Sequence, residues 1–173
     1  CLELGMDVCM EKPMVMNADE ARRLIRLRDK TGRMVMVAFP GSLSPALQKA
    51  KQLIARGAIG EINSISACTW QAWKKNTAGT WRQIPEISGG GFLFDAGSHM
   101  INTVVDLVGE DVTSVSALLD NRGAPVEINS SVSARTKSGV MLSLLGSGDS
   151  IQCHSLVMVY GNKGVLKTGI WGG

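Results

Sequence analysis

Apolar and polar positions change their period twice along this chain. A short apolar stretch (Met6, Val8, Cys9, Met10) runs into a Glu11-Lys12-Pro13 corner. Asn17, with Glu20 three residues later, makes a capping-box-like helix start. Ala21, Leu24, Ile25 and Arg28 follow at helical spacing, and Gly32 is placed to end the helix in a left-handed cap. Met34 to Phe39 is a continuous apolar run, the pattern of a strand covered on both faces. Residues 6–39 therefore predict one β-α-β unit, with parallel strands joined by a right-handed crossover.

Ser44-Pro45 predicts a second helix, with Ser as N-cap and Pro in the first turn. Leu47, Ala50, Leu53 and Ile54 form its apolar stripe, Gly57 ends it, and a strand follows near Ile62 to Trp70. Residues 71–91 read as a long loop holding Trp73, Lys74, Lys75, Trp81, Arg82 and Gly89-Gly90-Gly91. Loops of that length inside a domain are usually functional or mobile. A third helix fits 97–108, with Ile101, Val104, Val105 and Val108 on one face and Gly109 at its end.

After Gly109 the period shortens to that of strands. Val112–Leu119, Ile128–Lys137, Val140–Leu145, Ile151–Tyr160 and Gly164–Ile170 are β-prone, with turn-forming residues between them. This predicts an antiparallel meander with one face on helices and the other partly exposed. Alternation is clean in Ile128–Lys137, where Ile128, Ser130, Val132, Ala134 and Thr136 share one side. Leu156-Val157-Met158-Val159 is continuous and suggests cover on both faces, from a second subunit or from a helix of the same chain.

Composition narrows the function classes. The chain has 173 residues, 45% hydrophobic and 19% charged, enough for one ordinary domain and part of another. A net charge of +3, without aromatics interleaved among the basic residues, argues against a nucleic-acid partner. Arg22, Arg23, Arg26, Arg28 and Lys30 cluster, but they share their helix with Asp19, Glu20 and Asp29, which reads as a solvated face. Cys1, Cys9, Cys68 and Cys153 form no C-x-x-C pair and no zinc spacing. Their scatter suits small core residues in a reducing, cytoplasmic setting. No apolar run approaches the roughly 20 residues that span a bilayer. Asn129-Ser130-Ser131 matches a glycosylation acceptor, which we read as a chance match. The chain opens on Cys1 and stops at Gly172-Gly173 after an apolar stretch, so it reads as an internal piece of a longer protein.

Four features could carry chemistry. Pro13 fixes a corner after Lys12, and in open α/β sheets ligands bind beyond the carboxyl ends of strands. Lys12 would then aim an ammonium at a ligand crevice; a plain surface lysine is the competing reading. Asp95 and His99, in Asp95-Ala-Gly-Ser-His99, share a helix face if the helix has begun there. Asp95 could polarise His99, and imidazole suits general-base work near neutrality. Alternatively Asp95 is a helix cap and His99 a buried, hydrogen-bonded residue. Gly89-Gly90-Gly91 could admit a ligand close to the backbone or be a flexible turn. It is no dinucleotide fingerprint, because Phe94 occupies the last position of that register, and no phosphate-cradling loop occurs in the chain. Trp81-Arg82 suits stacking on a planar ring or binding hydroxyls and carboxylates, or it pins a loop to the core. His154, in an apolar strand, reads as structural.

In order and spacing these residues resemble the Gfo/Idh/MocA family of NAD(P)-dependent oxidoreductases. The likeness is carried by Gly5 through Glu11-Lys12-Pro13, the Pro45 helix, Gly57-Ala-Ile-Gly60-Glu61-Ile62, Trp81-Arg82, Gly89-Gly90-Gly91 and Asp95-Ala-Gly97-Ser-His99. The resemblance implies an α/β plus α+β protein. Residues 1–41 would be the C-terminal part of a Rossmann dinucleotide-binding domain, and 42–173 a substrate and oligomerisation domain with a large, mostly antiparallel open sheet packed on helices. It implies hydride transfer between a sugar, cyclitol or related polyol and NAD or NADP. Lys12, Asp95 and His99 would be catalytic, and Glu11, Lys12, Pro13, Trp81 and Arg82 would contact the cofactor, most of whose site would lie outside this chain. No metal is implied. The Lys12–Pro13 peptide would be cis, the sheet face would form a homo-oligomer, and no membrane or nucleic acid would be involved. The fragment alone would be inactive.

Two departures from the family pattern stand out. Many members carry an arginine in the segment matching Pro40-Gly-Ser-Leu-Ser44, and many an aspartate where this chain has Asn102. These motivate a competing reading, a non-catalytic oligomerisation or ligand-binding module. A third reading keeps the enzyme but reduces a C=C or C=N bond, with Lys12 or His99 as the acid.

Overall fold

The structure, a computed structural model, describes residues 1–171. The chain divides into two compact units, the first Cys1–Phe39 and the second beginning at Pro40.

The first unit is the expected β-α-β. Strand β1 (Val8–Met10) leads to helix α1 (Ala18–Thr31), and strand β2 (Val35–Val37) pairs in parallel with β1, Val8 opposite Val35. The Asn17 side chain accepts the Glu20 N–H at 2.9 Å. The Glu20 carboxylate reaches back to the Met16 N–H at 3.1 Å, one residue earlier than in a regular capping box. Gly32, at φ 62°, closes the helix by donating to the Arg28 carbonyl. Arg22 pairs with Asp19 and Arg28 with Asp29, all four exposed, so the basic cluster is a solvated face. Burial of β2 on both faces is not seen. Val35 and Val37 are half-buried while Met36 is exposed, because among the described residues only one face meets other side chains.

In the second unit, Ser44 caps α2 (Pro45–Ala55), accepting the Leu47 N–H, and Pro45 sits in the first turn. Strand β3 (Ile62–Trp70) has the expected bounds. The expected loop at 71–91 is instead largely single helical turns: α3 (Trp73–Asn76), a 3-10 turn at Trp81–Gln83 and α4 (Pro85–Ser88). Trp73 and Pro85 lack the long periodic context that would have revealed them. Next come α5 (Phe92–Asp95), α6 (Gly97–Val108), β4 (Val112–Asp120), β5 (Asn129–Thr136), β6 (Met141–Ser147), β7 (His154–Gly161) and β8 (Val165–Thr168).

The six-stranded sheet has the order β4-β5-β6-β3-β7-β8. All its pairings are antiparallel except β3–β6, where Ile65 lies opposite Leu142 in parallel. The simple meander is therefore corrected: β3, made earliest, is inserted between β6 and β7. Short turns between strands say which follow one another, not whether an earlier strand occupies the gap.

One sheet face is covered by α2 and α6. Leu47, Ile65, Met100, Val104, Leu142, Leu144, Val157, Val159 and Ile170 form its core, each buried. Burying a side chain of this size stabilises by about 1.5–3 kcal/mol. The face of α6 differs from the one expected: Met100, Thr103, Val104 and Leu107 point inward, while Ile101 and Val105 are exposed. Ile101 and Val105 lie beside the polar stripe Ser98, Asn102 and Asp106, away from the core. The alternation read in Ile128–Lys137 holds, with Ser130, Val132 and Thr136 buried and Ser131, Ser133 and Arg135 exposed. In β7, Val157 and Val159 face the helices, whereas Leu156 and Met158 lie half-covered on the open face. The cysteines are not core residues: Cys1, Cys9 and Cys153 are exposed and only Cys68 is half-buried, where desolvation raises its thiol pKa.

At one edge, Glu110 holds the β5–β6 turn. Its carboxylate accepts from the hydroxyls of Thr136 and Ser138 and from the Ser138 N–H. Hydrogen bonds from Ser138 and then Thr136 favour the charged form and hold its pKa below the ordinary 4.5. A depressed carboxylate contributes stability that is present above its unfolded pKa and lost as pH falls through its folded value. The melting-temperature gap between wild type and Glu110→Gln should be present at pH 7 and close below the carboxylate range. A gap that stays constant down to pH 3 would count against this assignment.

Candidate functional site

Helix α5 delivers Asp95 and α6 delivers His99, but the two helices are separate. Ala96 is the N-cap of α6 and no side chain caps it, so Asp95 is not a helix cap. The Asp95 carboxylate instead turns to the segment after β3. Its Oδ2 accepts the indole N–H of Trp73 at 2.8 Å and lies 3.3 Å from Arg82 Nε. Trp73 buries its ring in a second small core with Phe92, Ala96, Val126 and Ile128, so its polar edge is a rigid donor. The Arg82 contact is partly exposed and adds orientation more than stability. The Arg82 guanidinium lies 4.5 Å from the ring centroid of Trp81, itself 49% exposed. Trp81, Arg82, Asp95 and Trp73 thus form one connected cluster.

His99 is 9% exposed, in the first turn of α6. Its imidazole lies 4.3 Å from the Trp171 ring at a 58° tilt, centroid to centroid. One helical turn on, the Thr103 hydroxyl donates to the Ile170 carbonyl at 3.3 Å.

The three glycines serve the chain's own packing. Gly89 ends α4 at φ 74°. A Cβ on Gly90 would stand 2.6 Å from Phe94 Cβ, and one on Gly91 would stand 2.0 Å from the Glu127 carbonyl oxygen. At Gly90 and Gly91 a side chain would therefore collide with the chain's own atoms. Glu127 reads the start of α5 throughout. Its carboxylate accepts the N–H groups of Gly91 (2.6 Å), Leu93 (3.2 Å) and Phe94 (3.4 Å), and its carbonyl accepts that of Phe92 (2.9 Å). An anion at a helix N-terminus satisfies donors that have no intrahelical partner.

The two departures from the family pattern meet each other. Asn102 Nδ2 donates to Ser42 Oγ at 2.6 Å, tying α6 to the 3-10 turn Pro40–Leu43.

Lys12 belongs to the first unit. It lies two residues beyond the end of β1, half-buried, and the Lys12–Pro13 peptide is cis. Glu11 beside it is exposed and Pro13 half-buried. His154 is exposed at the start of β7, accepts the Ser155 N–H at Nδ1 (2.8 Å) and stacks on Trp70 with centroids 5.4 Å apart. Among the described residues, no group of three or more His, Cys, Asp or Glu is placed to hold a metal ion. None of their helices is long and apolar enough to cross a membrane.

Residues 47–167 match the GFO/IDH/MocA C-terminal domain, and residues 1–39 match the oxidoreductase family with the NAD-binding Rossmann fold. The chain belongs to the GFO/IDH/MocA family of oxidoreductases. A levoglucosan dehydrogenase of Pseudarthrobacter phenanthrenivorans is 34% identical over 119 residues, which are 68% of this chain and 30% of that protein. The scyllo-inositol 2-dehydrogenase (NADP(+)) IolW of Bacillus subtilis is 30% identical over 109 residues, 63% of this chain and 30% of its own length. A levoglucosan dehydrogenase solved with NADH and levoglucosan superposes with a TM-score of 0.89 at 25% identity, covering 97% of this chain and 49% of that one. The chain spans at most about half the length of the relatives it matches.

In this GFO/IDH/MocA chain, Trp73, Glu127, Ser42 and Trp171 are the neighbours that reading the motifs did not single out. Trp73 and Glu127 stand 22 and 36 residues from their partners at the α5 turn. Nothing local marks them; only the fold brings them there.

Two measurements test this arrangement. Glu127→Ala should lower stability by about 2 kcal/mol or more, since several helix-start donors lose a charged acceptor; a denaturant midpoint within error of wild type would refute it. A double-mutant cycle with Ser42→Ala and Asn102→Ala should show coupling of about 1 kcal/mol, whereas additive losses would mean that the pair contributes nothing.

Proposed function

We propose that the protein carrying this chain is an NAD(P)-dependent oxidoreductase that moves hydride between a sugar, cyclitol or related polyol and the nicotinamide. The observation that carries the reading is the Asp95 carboxylate, fixed between Trp73 and Arg82 just ahead of the nearly buried His99. The family match supports it, as do relatives named for levoglucosan and scyllo-inositol.

The residues present fit a dinucleotide in part. The half-exposed Trp81 ring with its stacked guanidinium is a flat cationic surface, suited to a planar ring and to phosphate or hydroxyl oxygens. We assign Trp81 and Arg82, with Glu11, Lys12 and Pro13, to the cofactor. When bound, the nicotinamide supplies the hydride acceptor, or the donor in the reverse direction.

The chain's own residues divide the rest. A ring nitrogen of His99 takes the proton of the substrate hydroxyl as its carbon is oxidised. The Lys12 ammonium stabilises the alkoxide that develops on that oxygen. Asp95, locked by a donor that cannot rotate away, holds the geometry. Enclosure of the imidazole by α6 and Trp171 limits water at the proton acceptor.

With scyllo-inositol or levoglucosan as substrate, His99→Ala and Lys12→Ala in the full-length protein should each lower kcat by about 10²-fold or more, the scale of general acid–base catalysis. Near-normal turnover in either variant would remove that residue from the reaction, and in both would remove the proposal.

A further inference from the structure

We propose that Glu127 is a positioning residue for the reaction, acting through Asp95 by fixing the turn that carries that carboxylate. The inference rests on the proposed oxidoreductase reading and adds to it a residue that lies outside every motif of the chain.

Two runs of hydrogen bonds leave the dipeptide Glu127-Ile128 and meet at Asp95. The first passes through Gly91. Glu127 Oε2 accepts the Gly91 N–H at 2.6 Å, and the Gly91 carbonyl accepts the Asp95 N–H at 2.9 Å. The second passes through Gly148. The Ile128 carbonyl accepts the Gly148 N–H at 2.8 Å, and the Gly148 carbonyl accepts the Lys74 N–H at 2.8 Å. Trp73, beside Lys74, then donates its indole N–H to Asp95 Oδ2 at 2.8 Å. The backbone of Asp95 and its carboxylate are thus both referred to the same two residues.

Packing leaves these runs little freedom. Phe92 and Trp73, the one fully buried and the other nearly so, meet edge to face beside them. Both relay positions are glycines, where a side chain would collide with the relay itself. A Cβ on Gly91 would stand 2.0 Å from the Glu127 carbonyl oxygen. One on Gly148 would stand 2.8 Å from the Ile128 carbonyl oxygen and 3.0 Å from Phe92 Cβ.

The arrangement needs both oxygens of a carboxylate. Oε1 takes the N–H groups of Leu93 and Phe94 while Oε2 takes that of Gly91, and these donors have no carbonyl of their own turn to bond. A carboxamide has one acceptor oxygen, so Glu127→Gln sets an N–H of its own against one of the two groups of donors. Helix α5 then loses its hold at one end, and Asp95 shifts with it. A displacement of about 1 Å at a reacting geometry can cost about 10²-fold in rate.

The test uses the full-length protein with scyllo-inositol. Glu127→Gln should lower kcat about tenfold or more, with KM within about twofold. The loss should vanish in an Asp95→Asn background, because the two residues act in series. Glu127→Asp, which keeps the charge on a shorter arm, should fall between wild type and Glu127→Gln. An unchanged kcat in Glu127→Gln, a loss confined to KM, or a loss that adds to that of Asp95→Asn would each overturn the inference. Unfolding of Glu127→Gln and Glu127→Asp alike would assign Glu127 to the fold alone and overturn it too.

The Trp73 indole N–H signal in NMR reads the place of Asp95 without turnover, and so separates this outcome from failure of the proposed function. Assigned by its loss in Trp73→Phe, it should move upfield in Glu127→Gln, while the Trp70 signal stays and shows that the variant is folded. If the wild type oxidises no polyol, the proposed function falls and the Trp73 signal alone decides. Its movement keeps Glu127 as the residue that places Asp95, and its silence removes it.

Discussion

The burial of one face of α6 against the middle of the sheet is the constraint on which the rest of the second unit depends. Met100, Val104 and Leu107 fill the space between α2 and the strands β3, β6 and β7. A helix gripped in this way cannot rotate without opening the core, which is packed as densely as an organic crystal. His99 and Thr103 occupy the same gripped helix. Their directions are set by apolar packing, and hydrogen bonds only refine them. The polar contacts of the region, from Ser42 to Asn102 and from Thr103 to Ile170, are consequences of that fixed rotation.

Asp95 is held by different means. It ends a four-residue helix too short to stand on its own propensity. The helix persists because Glu127 satisfies its first donors and because Phe92 is fully buried beside Trp73, ring edge to ring face at 6.1 Å. A carboxylate at one end of the turn, Glu127, thus permits another at the other end, Asp95, to be presented in a single orientation. The two acids serve opposite purposes. Glu127 is consumed by backbone donors, whereas Asp95 faces the side chains of Trp73 and Arg82.

Much of the element inventory was legible in the sequence. The Ser44-Pro45 start, the strand Ile62–Trp70 and the helix Gly97–Val108 carry local signals, a cap, an alternation and a terminal glycine, and the structure has them with those bounds. What a residue faces was legible where polar and apolar positions alternate strictly. Ile128–Lys137 alternates and its sides are as expected, whereas in α6 Ile101 and Val105 lie beside the polar Ser98, Asn102 and Asp106 and face outward. Sheet order was illegible because pairing of β3 with β6 is a property of two distant segments. The site divides along the same line. Lys12, Trp81-Arg82, Asp95 and His99 stand in compact motifs, but Trp73, Glu127, Ser42 and Trp171 become part of the picture only through the fold. The contact of Asn102 with Ser42 joins α6 to a turn 60 residues earlier, which no local pattern announces.

The central position of β3 has a consequence for how the chain comes to be folded at all. Its partners, β6 and β7, are made well after it, with Ile65 meeting Leu142 on one side and Val159 on the other. At roughly 5–20 residues per second of synthesis, this strand stays unpaired on both edges for several seconds. Contacts between such distant segments repay their loop-closure entropy only late, which makes assembly slow. An apolar strand left open in that interval is a template for other chains. Ser64 and Ser66, on the side away from the helices, interrupt its apolar run, and Thr69 does so on the buried side. Those hydroxyls lower the strand's tendency to pair with strangers during the wait, a service rendered before the native sheet exists.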